Sequence, residues 1–379
     1  MLKIGIIGTG GISAAHIKSY KLFSDKCEIV ALCDIFPEKC QGKNKDFGLN
    51  AKIFNDHKDL LQEDLDLVSI CTPPSCHKEI AVNTINAGIN VIIEKPLAAS
   101  LEECDKILDA LKNNKVKASV ISQNRFRNDA MKLKSILDSG LIGEIVSSTV
   151  NSYWWRGHCY YDLWWRGTWE KEGGGCTLNH AVHHIDIHNW LLNKMPKEIT
   201  AFMSNISHDN SEVEDISMAV LKYPQTLSTI TSSVIHHGEE QYLEFHGKVA
   251  KVSMPFTVKS SKSLENGHPT KNIELEERIQ DYYNNVKDLE YEGHEAQILD
   301  VLNAINENKN PYISVQDGKN TLEIITAIYK SAATKKVVKL PIPPEDLWYT
   351  IEGIKKETTY FNEKTNSIDN FTSQDEYFY

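Results

Sequence analysis

The opening of the chain constrains its fold more than any other stretch. Leu2 to Ile7 is a short run of apolar, largely β-branched residues, the pattern of a buried parallel strand. It passes directly into Gly8-Thr9-Gly10-Gly11-Ile12-Ser13 and then into a helical segment reaching about Phe23. A strand, a glycine turn and a helix N-terminus in that order make a phosphate cradle. Gly8 permits the tight turn, Gly10 lets a pyrophosphate approach the main chain, and the first helical N–H groups supply donors and positive dipole. Thr9, Gly11 and Ile12 complete the lining expected for a dinucleotide. Ser13 stands where a third glycine would finish the G-x-G-x-x-G pattern, and it is small enough for close helix–strand packing. A second strand, Glu28 to Cys33, ends at Asp34. A carboxylate there can bond both ribose hydroxyls of NAD and would repel the 2′-phosphate of NADP, with no Arg following to compensate. The alternative for Asp34 is a turn residue closing a strand.

Strands and helices keep alternating. The pattern predicts helices over Glu38–Phe47, Lys58–Gln62, Lys78–Ala87 and Leu101–Asn113. It predicts strands near Ile53 and over Leu67–Ile70, Val91–Ile93 and Ala118–Ile121. Such alternation implies a doubly wound parallel sheet, which binds ligands beyond the carboxyl ends of its strands. Two of those ends carry marked residues: Cys71-Thr72-Pro73-Pro74-Ser75-Cys76-His77 and Glu94-Lys95-Pro96-Leu97. A lysine in that place can bond a substrate oxygen and stabilise negative charge developing on it. Without that context a strand-end lysine is simply solvated.

A second polar cluster follows a run of glycines. Gly173-Gly174-Gly175 leads into Cys176 and a stretch to Asn193 that holds no Pro or Gly and reads as one helix. On it Asn179, His183 and Asp186 are spaced i, i+4, i+7 and share a face. An imidazole so placed can move a proton near neutral pH; the same spacing also describes a polar, half-buried packing stripe. His180, His184 and His188 share a different face at i, i+4, i+8. With no acidic third ligand at zinc spacing, packing or substrate hydrogen bonding is expected there and no metal. The loop before the glycines gathers Tyr153, Trp154, Trp155, Tyr160, Tyr161, Trp164, Trp165 and Trp169 around Arg156 and Arg166. Aromatic faces with arginine suit a sugar ring and an anion, and a subunit contact or loop core would use the same residues. Trp165 and Arg166, in Trp-Arg-Gly-Thr, are the expected contact segment.

The rest of the chain and its composition set limits. Segments Ile199–Met203, Ile216–Lys222, Ser228–Val234, Tyr242–His246 and Ala250–Ser253 alternate as strands of an antiparallel sheet with one exposed face. Lys259 to Lys271 reads as a loop, His294–Asn306 and Gly318–Ala333 as helices, and the polar tail after Pro344 as an extended arm or disordered. A net charge of -11 argues against nucleic acid as a partner. The eight Cys are scattered without C-x-x-C or zinc spacing and read as the reduced thiols of a cytoplasmic protein. The apolar opening is too short for a signal peptide and lacks a cleavage site. No apolar run approaches the roughly 20 residues of a membrane helix.

Thr72-Pro73-x-x-x-His77, Ala87-Gly88 and Glu94-Lys95-Pro96-Leu97-Ala98, with the opening turn and Gly173–Asp186, closely resemble the glucose-fructose oxidoreductase / inositol dehydrogenase family. Gly293-His294-Glu295-Ala296-Gln297, Asp317-Gly318-Lys319, Ala327-x-Tyr329-x-Ser331 and Leu340-Pro341 fit its later segments. The resemblance implies an α/β protein: an N-terminal Rossmann domain, 1–123, then a C-terminal α/β domain with a large, mostly antiparallel sheet, 124–341, and a tail, 342–379. It implies an NAD enzyme acting on a secondary alcohol of a sugar, cyclitol or sugar derivative, assembled as a homodimer or homotetramer. Thr72, Pro73, His77, Glu94, Lys95 and Asn124 join the glycine turn and Asp34 as expected cofactor contacts. Lys95 and His183 match the family's catalytic lysine and histidine. Asn179 stands where inositol-dehydrogenase-like members have an aspartate, which removes a charge and keeps a hydrogen-bonding role. Lys95, Arg125, Trp165, Arg166, Asn179 and His183 are the expected substrate contacts. Two rivals remain on the same fold: an NAD-using glycosidase that oxidises its sugar transiently, and a cofactor-binding regulator without turnover.

Overall fold

The computed structural model describes residues 1–369. Six strands, β1 (Leu2–Ile7), β2 (Cys27–Cys33), β3 (Lys52–Phe54), β4 (Leu67–Ile70), β5 (Asn90–Ile93) and β6 (Ala118–Val120), form a parallel sheet in the order β3-β2-β1-β4-β5-β6. Helices α1 (Ser13–Leu22), α2 (Pro37–Phe47), α3 (His57–Leu60), α4 (Pro74–Asn86) and α5 (Leu101–Lys112) connect them. The apolar runs become strands because both faces are covered: Ile4, Ile6, Leu67 and Ile92 have no exposed surface. The strand order reverses between β1 and β4, which opens a crevice beyond their carboxyl ends.

Beyond β6 come α6 (Asn128–Ser139), β7 (Ile145–Tyr153), α7 (Cys176–Asn179), α8 (Val182–Leu192), β8 (Glu198–Ser204), β9 (Ile216–Lys222), β10 (Leu227–Ser233), β11 (Gln241–Gly247) and β12 (Ala250–Met254). They are followed by β13 (Val258–Ser263), β14 (Pro269–Lys271), α9 (Ile273–Asn285), α10 (Gly293–Asn306), α11 (Val315–Thr334), β15 (Val338–Lys339) and α12 (Ile351–Glu357). The second sheet has nine strands in the order β14-β13-β12-β11-β7-β10-β9-β8-β15. It is mixed: β10 runs parallel to β7, while β8, β9, β10 and β15 pair antiparallel. The expected α/β architecture is therefore present in both sheets. The described residues divide into two compact units, one of residues 1–146, 186–194 and 244–323, the other of 147–185, 195–243 and 324–369. In the first, Val301 and Leu302 of α10 join the core of β1, β2 and α1.

Four local expectations are corrected. Lys259–Lys271 is not a loop but the hairpin β13–β14, closed by Leu264 N–H to His268 O at 2.8 Å. Its residues are polar on both faces and mostly exposed, so no period-2 signal marks it. Helix α9 occupies a stretch for which the sequence pattern predicts no element. The tail after Pro344 is ordered as far as it is described. A 3-10 turn buries Trp348 and Tyr349, Trp169 Nε1 donates to Thr359 O at 3.1 Å, and Asn210 Nδ2 donates to Asn366 O at 3.0 Å. Residues 370–379 of that tail lie outside the described residues. The helix expected from Cys176 to Asn193 is interrupted. Ala181 N–H reaches Cys176 O, five residues back, at 3.0 Å, and His180 N–H takes the same oxygen at 3.1 Å. That widened turn separates α7 from α8. Asn179 and His183 therefore lie on different helices, and their i, i+4 spacing is not one helical face.

Candidate active site

The glycine turn follows β1 at the crevice where the strand order reverses. Gly8 has a φ of +90°, and a Cβ there would lie 2.6 Å from the main chain of Cys71 after β4, so only glycine fits. Around Gly10 and Gly11 a Cβ would meet nothing within 4 Å, which leaves the cradle open to a pyrophosphate. No side chain caps α1, and its first turn carries no acidic residue, as an anion at that N-terminus requires. Ser13 is buried and donates to Gly10 O at 2.7 Å, so the hydroxyl in place of the third glycine is satisfied within the turn. Asp34 Oδ2 accepts from Thr9 N at 2.8 Å and Thr9 Oγ1 at 3.0 Å, and its Oδ1 accepts from Phe36 N at 3.0 Å. These bonds fix the carboxylate beside the turn while lone pairs remain for a ribose. Thr72 Oγ1 is buried with no partner among the described residues, an orphan polar atom of the kind a bound cofactor satisfies. The residues fit a dinucleotide.

The end of β5 is built on a buried polar cluster. Glu94 is 4% exposed. Its Oε1 lies 3.0 Å from His16 Nε2 and 3.5 Å from His294 Nε2, and its Oε2 accepts Lys95 N–H at 3.1 Å. Burial opposes its charge, but the two imidazoles outweigh burial and hold Glu94 well below the usual carboxylate range. Burial lowers His16, which favours a neutral ring with Nε2–H donating to Glu94 and Nδ1 facing Ser69 Oγ at 3.2 Å. The ligating atoms of His16, Glu94 and His294 lie within 4.8 Å of one another, as in a cation site; the His16–Glu94 hydrogen bond accounts for one side of the arrangement, while His294 Nε2 has no hydrogen-bond partner among the described residues. His77, in α4, is wholly buried, with Nε2 2.8 Å from Thr72 O and Nδ1 2.9 Å from Pro96 O. It ties the ends of β4 and β5 together. Among residues 91–98 Lys95 is the single half-buried position. His16 and His294 escaped the sequence reading, since no spacing links them to Glu94.

Arg125, expected to meet substrate, is corrected by its surroundings. It is 2% exposed, and its Nε and Nη2 donate to the two oxygens of Asp186 at 2.8 and 2.7 Å, while Nη1 donates to Asp317 at 3.0 Å. Both edges of the fork are engaged, and the two carboxylates overcome the effect of burial and raise its pKa further. Asp186 also accepts from Thr321 Oγ1 at 3.0 Å and orients Arg125. Asn124 lies in the same 3-10 turn, Gln123–Phe126, and accepts from Arg127 Nε at 3.2 Å.

In the second unit the glycines allow a close approach. A Cβ on Gly174 would fall 2.3 Å from Tyr329 Oη, and one on Gly175 would fall 1.9 Å from Glu214 O. Buried Glu214 accepts from Gly175 N at 3.0 Å, Thr177 N at 2.9 Å and Tyr329 Oη at 3.0 Å, which fixes the entry into α7. Asn179 Nδ2 donates to Gly174 O at 2.9 Å, and its Oδ1 takes no hydrogen bond from the described residues. From Cys176 to Asn189 only Asn179 and His183 rise above full burial. His184 and His188 face inward. Burial pushes them down to about 4 and about 3, with His184 against Ser152 Oγ at 2.9 Å and His188 stacked on Phe245. In the aromatic loop Arg166 lies over Tyr160 and Trp165 and bonds Glu172 Oε1 at 3.1 Å.

A parallel sheet with an open glycine turn at its switch point and an acidic residue at the next strand end define a dinucleotide-binding α/β protein. The chain belongs to the oxidoreductase family with an NAD-binding Rossmann fold: residues 2–122 match that domain and 134–340 match the family's C-terminal alpha/beta domain. It is an NAD-dependent oxidoreductase, and the resemblance read from the Glu94-Lys95-Pro96 segment and its companions is borne out. It is 26% identical over 360 residues to the inositol 2-dehydrogenase of Salmonella typhimurium, covering 91% of this chain and 98% of that one. The WlbA dehydrogenase of Bordetella pertussis, solved with NADH and UDP-GlcNAcA, is similar with a TM-score of 0.78 at 26% identity, covering 90% of this chain and 98% of that one. Levoglucosan dehydrogenase in complex with NADH shares the fold, with a TM-score of 0.76 at 22% identity, covering 90% of this chain and 100% of that one.

Proposed function

We propose that this oxidoreductase moves a hydride between the nicotinamide and a secondary alcohol or ketone of a sugar, cyclitol or sugar derivative, sugar nucleotides included. When bound, NAD supplies the hydride-accepting ring. His183 takes the hydroxyl proton as general base, and Lys95 bonds the same oxygen and stabilises the charge that develops on it. Asn179 orients the substrate through Oδ1, and Trp165 and Arg166 contact it. The glycine turn, Asp34, Thr72, Pro73 and Asn124 hold the dinucleotide. The observation that carries the reading is that Lys95, Asn179 and His183 each surface from a stretch otherwise fully buried. Polar groups so supported are held for a ligand more readily than for solvent. The cyclitol and sugar-nucleotide dehydrogenases named among the relatives support the substrate class.

Assembly as a dimer or tetramer belongs to the same proposal. The outer face of β8 to β10 exposes Phe202, Met218, Val220 and Leu227, an apolar surface suited to a second copy. A cytoplasmic location is supported by eight cysteines of which none is bridged. No helix among the described residues is long and apolar enough to cross a membrane.

The test is a panel of sugars, inositols and sugar nucleotides incubated with NAD. NADH formation with an oxidised product is expected. Release of free sugar without net NADH would point to the glycosidase alternative, and NAD binding with no conversion of any member to the regulator.

A further inference from the structure

Arg166 lies wholly within the second unit and is held in an unusual state. Its guanidinium carbon is 4.1 Å from the Tyr160 ring centroid and 4.2 Å from that of Trp165. Contact with two rings suits a weakly hydrated, planar cation and fixes its plane. Among the described residues the guanidinium makes a single hydrogen bond, from Nη1 to Glu172 Oε1 at 3.1 Å. Nε is buried and has no hydrogen-bond partner among the described residues. A buried donor left without an acceptor loses its hydration uncompensated, and such groups call for an explanation in an absent ligand, ion or water.

Glu172 is an incomplete counter-ion. It is 2% exposed, and its other oxygen accepts Gly167 N–H at 2.5 Å. Burial, helped by the like charge of Glu214, pushes it up to about 7 against the pull of Arg166. Near neutral pH Glu172 therefore offsets the charge on Arg166 only in part. Tyr160 also carries Arg156 at 5.6 Å from its ring centroid, a second cation beside the same ring, paired with Glu239.

We infer that this loop receives a substrate carboxylate on Arg166, so that the preferred substrates are sugar acids rather than neutral sugars. The inference rests on the proposed sugar oxidoreductase and names the part of its substrate that the second unit reads. A carboxylate matches the guanidinium fork, while Tyr160 and Trp165 lie against the ring that bears it.

The experiment compares matched pairs: D-glucose with D-glucuronate, and UDP-N-acetylglucosamine with its uronic acid. Glucose 6-phosphate serves as a phosphate arm. Binding is measured by calorimetry on the NADH-loaded protein, and turnover is measured separately with NAD. The acid of at least one pair should bind roughly ten-fold or more tightly than its neutral partner. Arg166→Met should weaken the acid at least ten-fold more than the neutral sugar, and Arg166→Lys should recover part of the difference. Arg166→Lys also serves as the test if Arg166→Met does not fold, since loss of the fork alone should narrow the preference. Equal binding within every pair, no binding by any acid, or a preference that survives both substitutions would overturn the inference. A preference for the phosphate alone would overturn the carboxylate assignment. Arg166-dependent binding of an acid without any NADH would uphold this inference and remove the dehydrogenase reading. NADH from neutral sugars with no acid preference would do the reverse.

Discussion

Two buried carboxylates, Glu94 at the end of β5 and Glu172 ahead of the glycine run, are shifted in opposite directions by the same physics. Both are nearly inaccessible, at 4% and 2% exposure, so desolvation pushes each toward the neutral acid. Glu94 accepts hydrogen bonds from His16 and the Lys95 main chain and has the His294 ring 3.5 Å away, and these groups hold it well below the usual range. Glu172 is met by one nitrogen of Arg166 and by Gly167 N–H, with Glu214 adding like charge, and it rises to about 7. The number and quality of hydrogen bonds, not depth, decide the state. The first arrangement gives Lys95 a rigid, charged floor. The second leaves Arg166 with charge to offer.

The largest expected effect of that contrast lies at Glu94. Glu94→Ala removes the acceptor of His16 and of a main-chain donor, and the buried carboxylate beside His294, and should cost about 3–5 kcal/mol, read as a shift of the urea midpoint. A midpoint close to that of the unaltered protein would mean that His16 and His294 re-pair without it, and the comparison would break.

Next in size is the pH dependence, in which the two carboxylates carry opposite signs. The folded-state pKa of Glu172 is about 7 against an ordinary 4.5, so the folded chain holds the extra proton between those values. Its contribution to stability is full below 4.5 and lost as pH rises through about 7. Glu172→Gln removes that loss. Unaltered protein should therefore fall relative to Glu172→Gln by on the order of 2–3 kcal/mol across this window. Glu94 is depressed, so its contribution is present above its ordinary 4.5 and lost as pH falls below it. Glu94→Gln should accordingly do most harm near neutral pH and least in acid. Parallel pH profiles for the two variants in thermal melts would refute the assignment of opposite shifts.

The smallest effect sharpens the comparison through coupling. A double-mutant cycle on His16 and Glu94 should give an interaction of about 2–3 kcal/mol, and one on Arg166 and Glu172 about 1 kcal/mol or less. A larger value for the second pair would mean that Glu172 neutralises Arg166 after all.

How far the sequence could be read follows from the range of each signal. Strand, glycine turn and helix are local and periodic, so Gly8, Asp34 and the alternation through β6 were legible. The E-K-P segment marked Lys95 by type and place. What failed was non-local. Arg125 is bound by Asp186 and Asp317, far along the chain, so an arginine that the family resemblance offered as a substrate contact is engaged within its own fold. The stretch after Gly175 has no Pro or Gly, yet Glu214 fixes its start and the chain widens by one residue at Ala181, which no helical period announces. The hairpin β13–β14 carries no apolar alternation. Trp348 and Tyr349 in the tail are buried by contacts that composition does not encode.

The central claim is that His183 removes the proton as hydride leaves the substrate. Its most direct test is turnover of His183→Ala on the substrate identified in the panel, with NAD saturating and NAD affinity measured alongside. The account predicts a fall of about 10²–10⁴ in rate with dinucleotide binding preserved on the Gly8–Ser13 turn. Turnover close to that of the unaltered enzyme would contradict it.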